Sequence, residues 1–170
     1  MQSKPQSGNG VGYAQEWVGY KRGIDDSHGF WLGLDEMHQL TKSGRYGLEI
    51  AIELAADSYD FVNWPLFVVG NEASEYEITI ASDDGLVNAK SRNAGTSYYF
   101  ASSNGLRFSS RDNDNDGWSS KHCATDSSYG SYTGWWYTSS GCGQYCGCFW
   151  NKYRSSYDYE KNAYQGKKQE

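Results

Sequence analysis

The chain is poor in several things, and each shortage excludes something. Proline occurs only twice in 170 residues, at Pro5 and Pro65. No apolar run approaches the roughly 20 residues needed to span a bilayer, so membrane insertion is not expected. Lys and Arg number 15 against 21 Asp and Glu, for a net charge of −6 and a pI near 5.0. The longest basic run is the pair Lys167–Lys168. That balance argues against nucleic acid and anionic membrane surfaces as partners. The first twelve residues, MQSKPQSGNGVG, lack the apolar core of a signal peptide and by themselves point to the cytosol or to a fragment. Catalytic signatures are missing too. There is no GxSxG elbow, no HExxH and no Gly-rich phosphate loop, and the three histidines (His28, His38, His122) are scattered. The sequence reads as a non-enzyme. Cysteine is confined to the last third, at Cys123, Cys142, Cys146 and Cys148. Four cysteines allow three pairings, and sequence alone does not choose among them. A zinc site from His122, Cys142, Cys146 and Cys148 is an alternative, but it lacks a CxxC pair. Disulfides imply an oxidising compartment, against the cytosolic hint of the N-terminus.

What the chain has in quantity is aromatic and acidic. It carries seven Trp and fifteen Tyr, residues suited to surfaces apolar on one side and wet on the other. The stretch from Arg111 to Trp136 stands out, because Asp112, Asp114 and Asp116 alternate with Asn113 and Asn115, and Gly117 follows. Carboxylates at every second position can curl around one hard cation, and calcium takes six to eight oxygen ligands, with side-chain and backbone donors mixed. A divalent ion also cancels the repulsion among three crowded acids. Positions 1, 3, 5 and 6 of the EF-hand loop are matched. Position 12 is Cys123 instead of glutamate, and the flanking serines do not continue helices, so the expectation is a calcium loop outside an EF-hand. The competing reading is an Asx-rich turn that needs no metal.

A family resemblance rests on several motifs in one order. The run FSSRDNDND, then Cys123–Ala124, then Gly134 to Tyr137 (GWWY), resembles the fibrinogen C-terminal domain, shared by fibrinogen chains, ficolins, tachylectins, tenascins and angiopoietins. Upstream, Trp17, Tyr20, Lys21 and Gly23 resemble the family's W-x-x-Y-K-x-G, and Phe30 to Thr41 (FWLGLDEMHQLT) is similar to its most specific stretch. Arg45–Tyr46 with Leu48 and Ile50, then Phe67, Val69–Gly70, Glu72, Tyr76 and Ile78, keep the same order. The resemblance covers about 17–137. Two family segments have no counterpart: an N-terminal subdomain ending in a GGGW-like run, and the usual ending after the second cysteine. The chain is accordingly expected to be a fragment or a divergent member.

Residues 1–12 read as a disordered tail. Tyr13 to Gly23 predicts a short helix ended by Gly23. Gly33 to Gly44 predicts a second, with Asp35 and Glu36 early and Lys42 late, as the helix dipole favours, and with Met37 and Leu40 toward the core. Residues 45–54 alternate as a strand with Tyr46, Leu48, Ile50, Ile52 and Leu54 on one buried face. Asp57 to Asp60 predicts a turn, Phe61 to Val69 a second strand with Pro65 at an edge or bulge, and Tyr76, Ile78 and Ile80 a third. Asp83–Asp84–Gly85 predicts a turn, and 86–107 an irregular connection anchored by Tyr98, Tyr99 and Phe100. The fold class is α+β, an antiparallel sheet with short helices plus a loop-rich calcium-binding subdomain, as the family fold also implies. The expected divisions are 1–12 tail, 13–108 sheet-containing middle subdomain, 109–148 calcium and ligand-binding subdomain, and 149–170 divergent tail.

Carried over residue by residue, the resemblance implies calcium as the bound ion. Its ligands are the side chains of Asp114 and Asp116 and the carbonyls of Trp118 and Ser120, with Asp112 supporting the loop. It implies one disulfide from Cys123 across GWWY to a nearby cysteine, with Cys142 the nearest candidate. Cys146 and Cys148 have no assigned counterpart. Lectin-like members hold a pocket for acetyl groups on sugars; here Tyr129, Tyr137 and Tyr145 are the candidate wall residues. Gly143 follows Cys142 where many members have a histidine. The implied role is extracellular, calcium-dependent recognition of acetylated glycans, as in innate immunity. The alternatives are a protein-binding module of the same fold or a truncated, non-binding fragment. A glycan or protein partner is expected. Lectins gain avidity by clustering, which leaves room for a homo-oligomer, although nothing in the chain encodes a coiled coil.

Overall fold

The computed structural model describes residues 2–3, 14–26, 29–55, 58–81, 90–91, 103–125, 133–138 and 142; of the side chains, those of 26, 29 and 50–62 and those in β1 and β8 are not described. Its elements run in the order β1 (Gln2–Ser3), α1 (Trp17–Arg22), β2 (Ile24–Asp26), β3 (Gly29–Trp31), α2 (Leu34–Thr41), β4 (Leu48–Ala55), β5 (Ser58–Trp64), β6 (Leu66–Val69), β7 (Ile78–Ala81) and β8 (Lys90–Ser91). Short 3-10 turns lie at Glu72–Ser74 and Cys123–Thr125. Among the described residues the strands form three small sheets, ordered β1–β3–β2, β4–β5–β8 and β6–β7, and their pairings are antiparallel. This is an α+β architecture, as expected.

Helix α1 falls inside the predicted segment, and Gly23, at φ 105°, ends it. In α2 the sequence pattern misleads by one position. Leu34, Met37 and Thr41 are buried, whereas Leu40 is 47% exposed. Spacing of three from Met37 holds in the N-terminal direction, to Leu34, and not toward Leu40. Thr41 is inside because its hydroxyl donates to the Met37 carbonyl and accepts from the Val69 N–H, which stitches α2 to β6. His38 takes a structural place on the same helix, with Nδ1 2.9 Å from the Val69 carbonyl oxygen.

The strand expectations need three corrections. Tyr46 precedes β4 and is 49% exposed, since the strand starts at Leu48. Residues 58–60, expected in a turn, already belong to β5 and pair with β4. The single strand 61–69 is two strands in two sheets, broken at Pro65, which has no N–H to donate to a ladder. Tyr76 lies just outside β7, yet Tyr76, Ile78 and Ile80 are all buried. The turn at 83–85, the anchors at 98–100, the 149–170 tail and the rest of the 1–12 tail lie outside the described residues; within the latter, expected to be disordered, Gln2–Ser3 form β1 and pair with Phe30 and Trp31 of β3. The β2–β3 hairpin was not foreseen, and neither was the pairing of Lys90–Ser91 with β5.

One aromatic core joins these parts. Phe108 has no exposed surface, and its ring sits 5.0–6.2 Å from those of Trp136, Tyr20, Trp31 and Trp17. Such pairs are worth about 0.5–1.5 kcal/mol each beyond area burial. The polar ends of these rings are satisfied. Trp31 Nε1 donates to the Tyr20 carbonyl, Trp136 Nε1 to the Tyr76 carbonyl, and Tyr76 Oη to Asp35. Burial, reinforced by Asp35, pushes the Tyr76 phenol well above its ordinary range. Glu75 and Tyr76 both adopt left-handed backbone, at φ 55° and 51°, which costs non-glycine residues about 1–3 kcal/mol each. In return, their carbonyls accept from Phe108 N–H and Trp136 Nε1.

Gly134 is required here for space. A Cβ on it would lie 2.5 Å from the Tyr20 ring and 2.7 Å from the Phe108 ring, while its N–H donates to Tyr20 Oη at 2.6 Å. Gly134→Ala is expected to destabilise the domain by about 1–3 kcal/mol through overpacking. A urea melt checks this, and a wild-type midpoint would show that the two rings yield freely.

Candidate functional site

The loop from Ser109 to Thr125 is held by its own polar groups and by three distant partners. Ser109 bridges to Trp135 through paired backbone hydrogen bonds, so the loop leaves the core beside the GWWY segment. Ser110 and Asn113 close a tight turn. Asn115 donates its side-chain amide to the Phe108 carbonyl and its backbone N–H to Ser109 Oγ. Gly117 sits at φ 73°, a left-handed conformation that glycine adopts without a steric cost. Ser109–Ser110 and Ser119–Ser120 are not helical, in agreement with the rejection of an EF-hand.

The three aspartates have three different environments. Asp112 faces helix α1, where its Oδ1 accepts the Trp17 N–H and the Ser110 hydroxyl, both at 2.7 Å. Burial works to raise its pKa, but the Ser110 and Trp17 hydrogen bonds outweigh it and hold the carboxyl below the usual range. Asp114 is exposed. Asp116 is 3% exposed; its Oδ1 accepts from Trp118 N–H and its Oδ2 from Cys123 N–H, both at 2.7 Å. Burial pushes its pKa up, the two N–H donors oppose that, and the charge of Asp114 adds to the rise. A bound cation would offset the charge of a sunken carboxylate with an acidic neighbour.

The donor chemistry fits a hard divalent ion. Each Asp116 oxygen uses one lone-pair direction on an N–H and keeps another. Asp114 adds a second carboxylate two residues away. Of the two expected carbonyl donors, Trp118 already accepts from Lys121 N–H, and its carbonyl oxygen has a second lone pair. Ser120 lies in the exposed turn that follows. Lys121 Nζ stands 5.0 Å over the Trp118 ring. His122 Nε2 lies 2.7 Å from the Ser110 carbonyl, which places it in the loop scaffold.

Cys123 and Cys142 are joined in a disulfide, with Cα atoms 4.7 Å apart. This is the pairing that the resemblance implied, and it removes Cys142 from the zinc alternative. Among the described residues, one group of three candidate metal ligands forms, Asp116 with Cys123 and Cys142, within 4.8 Å. Both of its sulfurs are spent in the disulfide, so the group offers no thiolate. Cys146 and Cys148 lie outside the described residues.

Of the expected wall residues, Tyr129 and Tyr145 also lie outside the described residues. Tyr137 is corrected by the structure. It has no exposed surface, and its hydroxyl donates to the Thr133 carbonyl, so it packs the core and presents nothing to a ligand. Sequence reasoning missed the role of α1. Trp17 donates its backbone N–H to Asp112, Tyr20 Oη accepts the Gly134 N–H, and Trp17 Nε1 and Lys21 both engage Glu72. Lys21 and Trp17 hold the Glu72 carboxyl below its usual range. The motif marked these residues, but their distant partners were not encoded locally.

A small α+β domain with an acidic loop cross-braced by a disulfide is the design of a fibrinogen-type recognition domain. The family profile described as fibrinogen beta and gamma chains, C-terminal globular domain, matches residues 3–166, and the chain belongs to that family. It is 36% identical over 130 residues to Ryncolin-4 of Cerberus rynchops, covering 75% of this chain and 33% of that protein. It is 34% identical over 130 residues to fibrinogen-like protein A of Apostichopus parvimensis, covering 76% of this chain and 42% of that one. The chain thus spans about a third to two-fifths of these relatives. Among solved structures, the fibrinogen-like globe domain of human ANGPTL2 aligns with a TM-score of 0.63 at 25% identity, covering 81% of this chain and 56% of that one. A lamprey fibrin D-dimer complexed with the peptide Gly-His-Arg-Pro-amide aligns at 0.56 and 24% identity, over 81% of this chain and 44% of that one, a likeness of fold. Among the described residues, no helix is long and apolar enough to cross a membrane.

Proposed function

We propose that this chain is a calcium-dependent, secreted recognition domain that binds acetylated glycans or related ligands, as in innate immunity, and that it is not an enzyme. The observation that carries the reading is the placement of Asp116. Its buried carboxylate is aimed by the N–H groups of Trp118 and Cys123, and the disulfide holds Cys123 in position. Asp114 and Asp116, with the carbonyls of Trp118 and Ser120, are the groups to hold calcium. The ion would neutralise the acidic pair and order the loop beside GWWY. The ligand-binding unit is 109–148.

A second reading keeps the fold and the ion but takes a peptide or protein ligand. The fibrin D-dimer similar in fold is complexed with a peptide, and here Gly143 follows Cys142 where a histidine was expected.

A thermal melt of the oxidised chain tests the ion first. Calcium at about 100 times its Kd should stabilise the domain by about 2.7 kcal/mol, and EDTA should reverse the shift. Retention on acetylated-carbohydrate resin, released by EDTA, then supports the glycan reading. A melt blind to calcium would sink the calcium site, and EDTA-sensitive binding to protein but not to sugar would select the second reading.

A further inference from the structure

Helix α1 does not carry its own N-terminal cap. The residue at the cap position, Glu16, makes no side-chain cap hydrogen bond, and no acidic residue lies in the first turn. Yet the Trp17 N–H is satisfied at 2.7 Å by Asp112 Oδ1, from 95 residues further along the chain. The same oxygen accepts the Ser110 hydroxyl, and Ser110 in turn closes the turn with Asn113 and lies 2.7 Å, through its carbonyl, from His122 Nε2. Asp112 is therefore the point where α1 meets the acidic loop. Arg111 and Glu16 lie 3.7 Å apart beside it, but both side chains are more than half exposed, so that ion pair adds little.

Tyr20, one turn further along α1, closes the circuit. Tyr20 Oη accepts the Gly134 N–H, and Trp135, next to Gly134, bridges back to Ser109 at the root of the loop. The loop, α1 and the GWWY segment thus hold one another in a ring of hydrogen bonds. An ion that fixes the loop must then favour the seated helix, and a seated helix must favour the ion by the same factor.

We propose that Asp112 is a positioning residue, which couples occupancy of the Asp114–Asp116 site to the docking of α1 without touching the ion. This rests on the calcium reading given above. Asp112 has its Oδ1 committed to two donors, and an asparagine there keeps an oxygen able to accept both. An ordinary cap would contribute only to stability, equally with and without calcium. The coupling role instead changes calcium affinity and the protection of one particular amide.

The test uses the full oxidised chain, with calcium chloride titrated by calorimetry into wild type, Asp112→Ala and Asp112→Asn. Coupling between two such sites typically changes affinity about 5–150-fold. Asp112→Ala should show a loss of that size, and Asp112→Asn should stay within a few-fold of wild type. In wild type, calcium should also slow hydrogen exchange at the Trp17 amide. A flat wild-type titration overturns the calcium reading, and this inference with it. If wild type binds calcium, three results overturn the coupling alone: unchanged affinity in Asp112→Ala, equal loss in both variants (a direct ligand or a pure charge effect), or Trp17 exchange that ignores calcium. The exchange measurement needs no variant, so it decides the matter even if Asp112→Ala does not fold.

Discussion

Phe108→Ala should destabilise the domain by about 3–5 kcal/mol, the cost of removing a fully buried aromatic ring. A domain of this size has only about 5–15 kcal/mol of stability to lose. Phe108 has no exposed surface and lies in the middle of the Trp17, Tyr20, Trp31 and Trp136 rings, so deletion leaves a void bordered by rigid groups that close in poorly. Its backbone is committed as well, with its N–H on the Glu75 carbonyl and its own carbonyl accepting from Asn115. The cavity therefore opens directly beneath the acidic loop. Guanidinium melts of Phe108→Ala and of Val18→Ala, a 47% exposed control, make the comparison. Equal midpoints for the two variants would mean that the ring is not the centre of the core.

Removing the disulfide, by Cys123→Ala with Cys142→Ala or by reduction, should cost about 2–4 kcal/mol. The two cysteines are 19 residues apart, and both are fully buried. The loss reaches further than chain entropy. Cys123 N–H orients Asp116 Oδ2, and Cys123 begins the 3-10 turn that also buries Ala124. Freed of the cross-link, the turn holds Asp116 less firmly, and the calcium response expected of the oxidised chain should shrink together with the melting temperature. Melts of oxidised and reduced protein, each with calcium and with EDTA, separate the two effects. A reduced chain that melts like the oxidised one would show that the core alone holds this region.

The acidic loop and the aromatic motif of α1 were legible in the sequence, because they are local. Alternating aspartates with a trailing glycine need only a short loop to converge, and the W-x-x-Y spacing needs only one helical turn to share a face. Helix ends marked by Gly23, the alternation of Ile78 with Ile80, and the family itself were readable for the same reason. The misreadings also have physical causes. Leu40 and Met37 satisfy helical spacing, but which neighbour turns inward depends on where β6 packs, and that position is long-range information. Tyr46 fits a strand alternation that starts only at Leu48. Pro65 was read as an edge or a bulge within one strand, and the transfer of the chain to a different sheet depends on what β6 meets, namely β7. Tyr137 looked like an amphipathic wall, and its hydroxyl found a partner four residues away in the interior.

By itself, the sequence determined the fold class, the family, the acidic loop and the set of cysteines. Each of these is written in neighbouring residues or in motifs of fixed order. Tertiary structure alone decided which aspartate does what. Asp112, Asp114 and Asp116 are chemically identical and two residues apart, yet one caps a helix 95 residues away, one stays in solvent and one is buried against a disulfide. Their difference lies in burial and in hydrogen-bond donors brought from far along the chain, and those exist only once the aromatic core has closed.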